Sequence, residues 1–176
     1  FGHEGYLVGD GLAAADTLAL VRNAVQWAGG GKATDVTVIG LKGTAEALKA
    51  ATAKAPPAGG KGRVVVCNAG GIQAADVPAF VAFLKAGGGI VAGGPGWGWE
   101  QTHPGQTLAA DHAGNRVFAA AGLVIAGGTL DSAADKTLPV GTPDRLAHTA
   151  AAEALIAEAV GGKAVAPAEG RVAEAT

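Results

Sequence analysis

Two histidine–carboxylate pairs hold the residue types that can move a proton or bind a metal ion. His3 stands next to Glu4 at the start of the chain. Glu100 precedes His103 by three positions in the middle of the chain. A carboxylate beside an imidazole can act as acid or base when burial tunes its pKa. Neither pair has the HExxH spacing of a zinc peptidase, so a hydrolase with a His/Glu site, metal-assisted or not, is the alternative function.

Three aromatic residues suggest binding instead of catalysis. Trp97 and Trp99 flank Gly98, so in an extended turn the two indoles would point the same way, and Tyr6 could complete an aromatic platform. Such faces beside polar side chains can stack on the apolar face of a sugar. The competing interpretation is that both indoles pack over glycine-rich strand ends and fill the space that Gly and Ala leave empty.

The elements that position these residues alternate between short apolar runs and helical patterns. Strands are predicted at residues 36–41, 63–67, 90–93 and 123–126, with residues 1–7 as the exit of an earlier strand. Helices are predicted around residues 20–27, 45–54, 77–84, 115–121 and 143–160. Short apolar strands alternating with helices indicate a parallel sheet buried on both faces. The predicted fold is a three-layer, doubly wound α/β fold, with a mainly parallel sheet and helices on both faces.

In such a sheet, ligands bind beyond the carboxyl ends of the strands. The candidate residues follow these ends, so the topology is expected to bring them to one edge. Cys67 also ends a strand, but a cysteine in an apolar strand is usually a small buried hydrophobe, and no adjacent cation lowers its pKa. His112 and His148 are expected on the surface.

Composition excludes several classes of function. The chain has 176 residues, 49% of them hydrophobic, which suits one domain over residues 1–176. A net charge of -2 with 13 scattered basic residues predicts no nucleic-acid partner. No apolar run approaches the ~20 residues that span a bilayer, so membrane insertion is not predicted. The chain starts at Phe1 and has no Met, so we expect an excised part of a longer protein, whose other domains are partners.

Four segments carry a resemblance to a known family. They are FGHEGYL at 1–7, NAVQW at 23–27, GGGIVAGGPGWGWEQTHPG at 87–105 and GNRVFAAAGLVIAGG at 114–128. As a set they resemble the class I glutamine amidotransferase-like domain that accompanies enhancin-like, mucin-active metallopeptidases and the channel-associated factors of animals. The resemblance implies a flavodoxin-like sheet and suggests an extracellular or cell-surface location.

The resemblance also shows where catalysis should be sought. Class I amidotransferases use a cysteine in a GxCxG elbow after a central strand. Residues 91–97 here read VAGGPGW, with no Cys, Ser or Thr. His148 and Glu153 have the wrong spacing for the partners of that cysteine, so the triad is not carried over. Glutaminase activity is not expected.

The sequence therefore predicts a noncatalytic recognition or scaffolding module of a larger, glycoprotein-directed, metallopeptidase-like protein. It would bind a glycan or a protein at the carboxyl end of the sheet, with no cofactor and no metal ion. The predicted ligand-binding residues are His3, Glu4, Tyr6, Asn68, Trp97, Trp99, Glu100 and Gln101.

Overall fold

A parallel sheet forms the centre of the described chain. The computed structural model describes residues 1–14, 16–33 and 35–128. Its strands are Asp35–Ile39 (β1), Ala51–Thr52 (β2), Arg63–Asn68 (β3) and Gly89–Gly93 (β4). They lie in the order β2-β1-β3-β4, and each neighbouring pair is parallel.

Helices connect and cover these strands. The α-helices are Gly9–Ala13 (α1), Thr17–Ala28 (α2), Thr44–Leu48 (α3), Val77–Lys85 (α4), Gly96–Thr102 (α5) and Ala113–Phe118 (α6). Single 3-10 turns span Glu4–Leu7, Ala69–Gly71, Ala74–Asp76 and Ala119–Ala121. Within the described ranges, none of the helices has both the length and the apolar character needed to cross a bilayer.

The side chains of β3 explain why helices cover both faces of the sheet. Val64 and Val66 belong to one buried cluster, which also holds apolar side chains of α1, α2 and α3. Val65 and Cys67 belong to a second cluster, with side chains of α4 and α6. Successive side chains of a strand point to opposite faces, so a continuous apolar run is what a strand buried on both faces requires. The predicted flavodoxin-like, three-layer α/β architecture is confirmed.

The predicted helix at residues 45–54 is wrong in its second half. Lys49 adopts a left-handed backbone with φ 53° and ends α3 at Leu48. Ala51 and Thr52 then pair with Thr37 and Val38 as the short edge strand β2. Alanine-rich sequence favours a helix, but pairing with the open edge of β1 overrides that local preference.

The strand predicted at residues 123–126 is absent, although these residues are described. The carboxamide of Asn115 explains this difference. Its Oδ1 accepts a hydrogen bond from the Ile125 N–H at 2.7 Å, and its Nδ2 donates to the Ile125 carbonyl at 2.9 Å. Both backbone groups that a neighbouring strand would use are therefore satisfied by one side chain.

Residues 1–7, predicted as the exit of an earlier strand, contain a 3-10 turn at Glu4–Leu7. Phe1 nevertheless lies along the outer edge of β4. Its α-amino group donates to the Ala92 carbonyl at 2.8 Å, and the Gly94 N–H donates to the Phe1 carbonyl at 3.3 Å. This is the hydrogen-bond pattern of a parallel bridge. The helix predicted at 143–160, with His148 and Glu153, lies outside the described residues.

The close approach of α2 to β4 yields a testable stability prediction. A Cβ on Gly89 would lie 2.2 Å from the backbone carbonyl oxygen of Ala28, at the end of α2. Gly89→Ala must therefore displace the helix, and we expect it to lower the free energy of unfolding by about 1–3 kcal/mol. Urea unfolding followed by circular dichroism measures the change.

Gly2→Ala is the matched control, because nothing lies within 4 Å of a Cβ at Gly2. Equal stability of the two variants would contradict the packing described for α2 and β4.

Candidate functional site

The carboxyl ends of β3 and β4 position most of the candidate residues. Asn68 is the last residue of β3, and its Oδ1 accepts a hydrogen bond from the Gly70 N–H at 2.9 Å. Beyond Gly93, the last residue of β4, the chain turns at Gly94 and Pro95 and enters α5. Parallel strands bring these ends to one edge of the sheet, where doubly wound proteins bind their ligands.

The two tryptophans of this edge point in different directions. The prediction of an extended turn is wrong, because Trp97 and Trp99 both lie in α5. Residues two apart on an α-helix are separated by about 200° around its axis. Trp97 is 42% exposed. Trp99 is half-buried and stacks on the His103 ring at 4.2 Å between centroids, with an interplanar angle of 10°.

The predicted aromatic platform therefore does not form as one surface. Tyr6 is exposed and contacts Phe1 at 6.3 Å between ring centroids, and no ring contact joins it to Trp97 among the described residues. Trp97 remains the exposed aromatic side chain of α5, whereas Trp99 fills internal space. The contacts of Trp99 with His103 and His112 fit the packing interpretation, whereas a binding role for Trp97 stays a prediction.

His112 is buried, so the prediction of a surface position is wrong. Its side chain is only 2% exposed and meets Trp99 edge-on at 5.0 Å. Its Nδ1 accepts a hydrogen bond from the Asn115 N–H at 2.9 Å, which caps α6. Burial lowers the pKa of His112, and the nearby His103 lowers it further. The His-Ala-Gly-Asn order, with an acceptor three residues before a backbone donor, is the sequence signal for this cap.

His3 and Glu4 are adjacent but do not form a working acid–base pair. His3 Nδ1 lies 3.5 Å from Glu4 Oε2, yet the same nitrogen accepts a hydrogen bond from the Gly5 N–H at 2.8 Å. A ring nitrogen that accepts this bond has no proton to donate to the carboxylate. Glu4 Oε2 is buried without a hydrogen-bond partner. His3, through this bond to the Gly5 N–H, caps the turn after Phe1.

Glu100 and His103, the second pair, each contact other groups. His103 Nδ1 lies 2.8 Å from the Trp99 carbonyl oxygen, within its own helix end. The Glu100 carboxylate lies against Gly127, where a Cβ would be 2.5 Å from Oε2. Gln101 is exposed on α5. In the part of the chain that the structure describes, no group of three or more His, Cys, Asp or Glu side chains is placed to hold a metal ion.

Two of the three glycines in the turn after β4 have no room for a side chain, whereas a Cβ on the third, Gly94, would make a tight contact of 3.2 Å with the Ala69 Cβ. A Cβ on Gly93 would lie 2.8 Å from the His3 carbonyl oxygen, and one on Gly96 would lie 2.2 Å from the Ala126 carbonyl oxygen. Both obstacles are backbone atoms, which cannot move aside as a flexible side chain would. Backbone from both sides therefore occupies the space that a nucleophile at Gly93 or Gly96 would need.

Cys67 is the buried hydrophobe that its sequence context predicts. It is 1% exposed at the end of β3, and burial raises the pKa of its thiol to about 12. The thiol is therefore protonated at neutral pH, and the reactive thiolate is scarce.

The chain forms a doubly wound α/β domain. The carboxyl edge of its sheet has a closely packed glycine turn after β4, followed by the exposed side chain of Trp97. A family model, TCAF_N, described as the TRPM8 N-terminal domain, matches residues 1–139. The chain belongs to this family.

A curated relative, the TRPM8 channel-associated factor homolog of Danio rerio, is 30% identical over 132 residues. The matched region is 73% of this chain, but the chain spans only 14% of that relative. No solved structure gives a significant match. The comparisons support the channel-associated part of the resemblance, and they give no support to its amidotransferase or enhancin-like parts.

The buried thiol predicts slow chemical modification. Cys67 should react with a disulfide reagent more than about a hundredfold slower in the folded chain than in the urea-unfolded chain, because both access and thiolate are lacking. Absorbance of the released thiolate measures the rate. Rapid stoichiometric reaction of the native chain would contradict the inert role given to Cys67.

The lowered pKa of His112 predicts a loss of stability in acid. The unfolded chain binds this proton more readily than the folded chain, so the stability contribution is complete above the ordinary pKa of 6.5 and falls as the pH drops below it. Urea unfolding at about pH 7.5 and about pH 5.5 measures the difference. His112→Asn retains an acceptor for the cap and should make the pH dependence shallower. If His112→Asn left the pH dependence of stability unchanged, other titrating groups would be its cause.

Proposed function

We propose that this domain is a noncatalytic recognition or scaffolding module that binds a protein partner through the carboxyl edge of its sheet. The composition of the turn after β4 carries the proposal, because residues 91–97 contain no Cys, Ser or Thr where the resembling amidotransferases hold their nucleophile. Trp97, one residue beyond that turn, offers an exposed indole to a partner. Tryptophan is among the residues that dominate binding energy at protein interfaces.

An ion channel is the class of partner that the relatives suggest. The relative from Danio rerio is named for association with the TRPM8 channel. This chain spans 14% of that protein, so the association is carried to this domain as part of the proposal. Exposed Tyr6 and Gln101 would extend the contact around Trp97, and His3, Glu4, Asn68, Trp99 and Glu100 would hold the surrounding loops in shape.

A more specific version of the proposal has a glycan as the ligand at Trp97, since an indole can stack on a sugar ring. The amidotransferase-like descent, the metallopeptidase context and the extracellular location remain predictions of the resemblance. The His3–Glu4 pair is not joined by contacts to Glu100 or His103 among the described residues, so a shared catalytic centre has no geometric support.

A matched pair of tryptophan variants tests the proposal. Trp97→Ala should weaken binding of the chain to a detergent-solubilised TRPM8-type channel by about tenfold or more, measured by biolayer interferometry. Trp27→Ala is the control, because Trp27 is 84% exposed but lies on α2, away from the turn. Its affinity should stay within about twofold of the wild type.

Equal effects of the two substitutions, or a loss confined to Trp27→Ala, would refute the assignment to the carboxyl edge. If the channel does not bind, mucin-type glycans on an array provide the second probe. Loss of glycan binding in Trp97→Ala would then favour a glycan as the ligand.

A further inference from the structure

A crevice lies between the carboxyl ends of β1 and β3. After β1 the chain passes to α3, which packs in the cluster on one face of the sheet. After β3 it passes to α4, which packs on the other face. The two connections therefore diverge between these neighbouring strands, and such a topological switch point is where open α/β sheets bind ligands. A cavity of about 120 Å³ is found there.

The polar groups of this crevice have free bonding capacity. Asn68 uses its Oδ1 for the Gly70 N–H, so its Nδ2 group is left to donate. Lys54 makes no hydrogen bond or ion pair with any residue of the described ranges. Asp76 accepts a hydrogen bond from the Gln73 N–H through Oδ2 at 3.3 Å, and its Oδ1 has no such partner among those ranges.

Lys54 and Asp76 line the same cavity without pairing with each other. The ion pairs of the described chain are His3 with Glu4 and Arg63 with Asp35, so the Lys54 nitrogen and the Asp76 oxygens are more than 4.0 Å apart. The crevice thus presents a cation, an amide donor and an anion, while Ile72 and Phe80 give it an apolar wall. Opposite charges that do not neutralise each other across a cavity are complementary to a ligand with two opposite charges.

We propose that this crevice binds a small zwitterion, a molecule with a carboxylate and an ammonium group on a short carbon chain. Its carboxylate would meet Lys54 and the Asn68 amide, and its ammonium group would meet Asp76. A simple anion would be repelled by Asp76, and a simple cation by Lys54. The cavity of about 120 Å³ is smaller than the sites that hold drug-sized molecules, so the ligand has few heavy atoms.

This crevice is a different part of the carboxyl edge from the Trp97 surface of the proposed function, although Asn68 lies between the two. It lies between β1 and β3, whereas Trp97 lies beyond β4 on α5. Loss of the channel interaction would leave the crevice proposal standing, and the converse also holds.

Titration of the ¹⁵N-labelled chain with alanine, followed by NMR, tests the proposal. Saturable shifts are expected at the Gly40 and Gly71 amides and the Asn68 side-chain amide, with millimolar affinity, since so small a ligand offers few contacts. Acetate and ethylamine each carry one of the two charges. Each should bind about tenfold more weakly than alanine or not at all.

Charge-removing variants identify the two groups. Lys54→Met and Asp76→Asn should each weaken alanine binding by about tenfold, because each leaves one ligand charge unpaired. Asparagine at position 76 can still accept from the Gln73 N–H, so the local turn is preserved. Lys61→Met and Asp16→Asn are the controls, as neither residue lines the crevice.

A steric variant provides an independent check. Adding a Cβ at Gly71 brings it to 3.7 Å from the Asn68 Cβ, an ordinary contact, so Gly71→Ala should fold normally while narrowing the crevice. It should reduce alanine binding. The proposal is overturned if alanine causes no saturable shift, if acetate binds as well as alanine, or if the control variants lose as much affinity as Lys54→Met and Asp76→Asn.

Discussion

Burial of β3 on both faces is the constraint on which the other layers depend. Val64 and Val66 pack under one set of helices, and Val65 and Cys67 pack under the other. A strand in this position must be apolar along its length, so polar groups can enter only where it ends. Asn68 is that end, and its carboxamide shapes the following loop and lines the crevice next to β1. The same burial keeps the only cysteine of the chain protonated.

The second constraint is the close approach of backbones around β4. Gly89 touches the end of α2, Gly93 touches the turn after Phe1, and Gly96 touches the Ala126 carbonyl. These contacts pack the exit of β4 closely, and Trp97 is the first exposed side chain beyond it. The edge therefore offers a rigid frame with an exposed indole, an arrangement that suits binding because little conformational entropy is lost when a partner docks.

The sequence predicted the features that depend on local pattern. The apolar runs of β1, β3 and β4 and the periodicity of α2 and α4 each follow from which faces are buried, so their order and the parallel sheet could be predicted. Residues 49–54 could not, because pairing with β1 outweighs their helical preference. The directions of Trp97 and Trp99 depended on whether the glycine-rich turn continued as helix, which composition does not decide. The two charges of the crevice could not be foreseen, since Lys54 and Asp76 are distant in sequence and come to line one cavity only through the topology of the sheet.

Asn115 gives the chain an economical way to fix the path of a segment without regular structure. Its carboxamide makes both hydrogen bonds that a peptide group of a neighbouring strand would make, and it also donates to the Leu108 carbonyl. The partners at positions 108 and 125 are backbone atoms, which every amino acid possesses except for the N–H at position 125, which proline lacks. The side chain of Asn115 therefore fixes both segments by itself. These hydrogen bonds therefore do not depend on the side chains at positions 108 and 125. At position 115 they require a side chain with a donor and an acceptor at the same reach as those of asparagine.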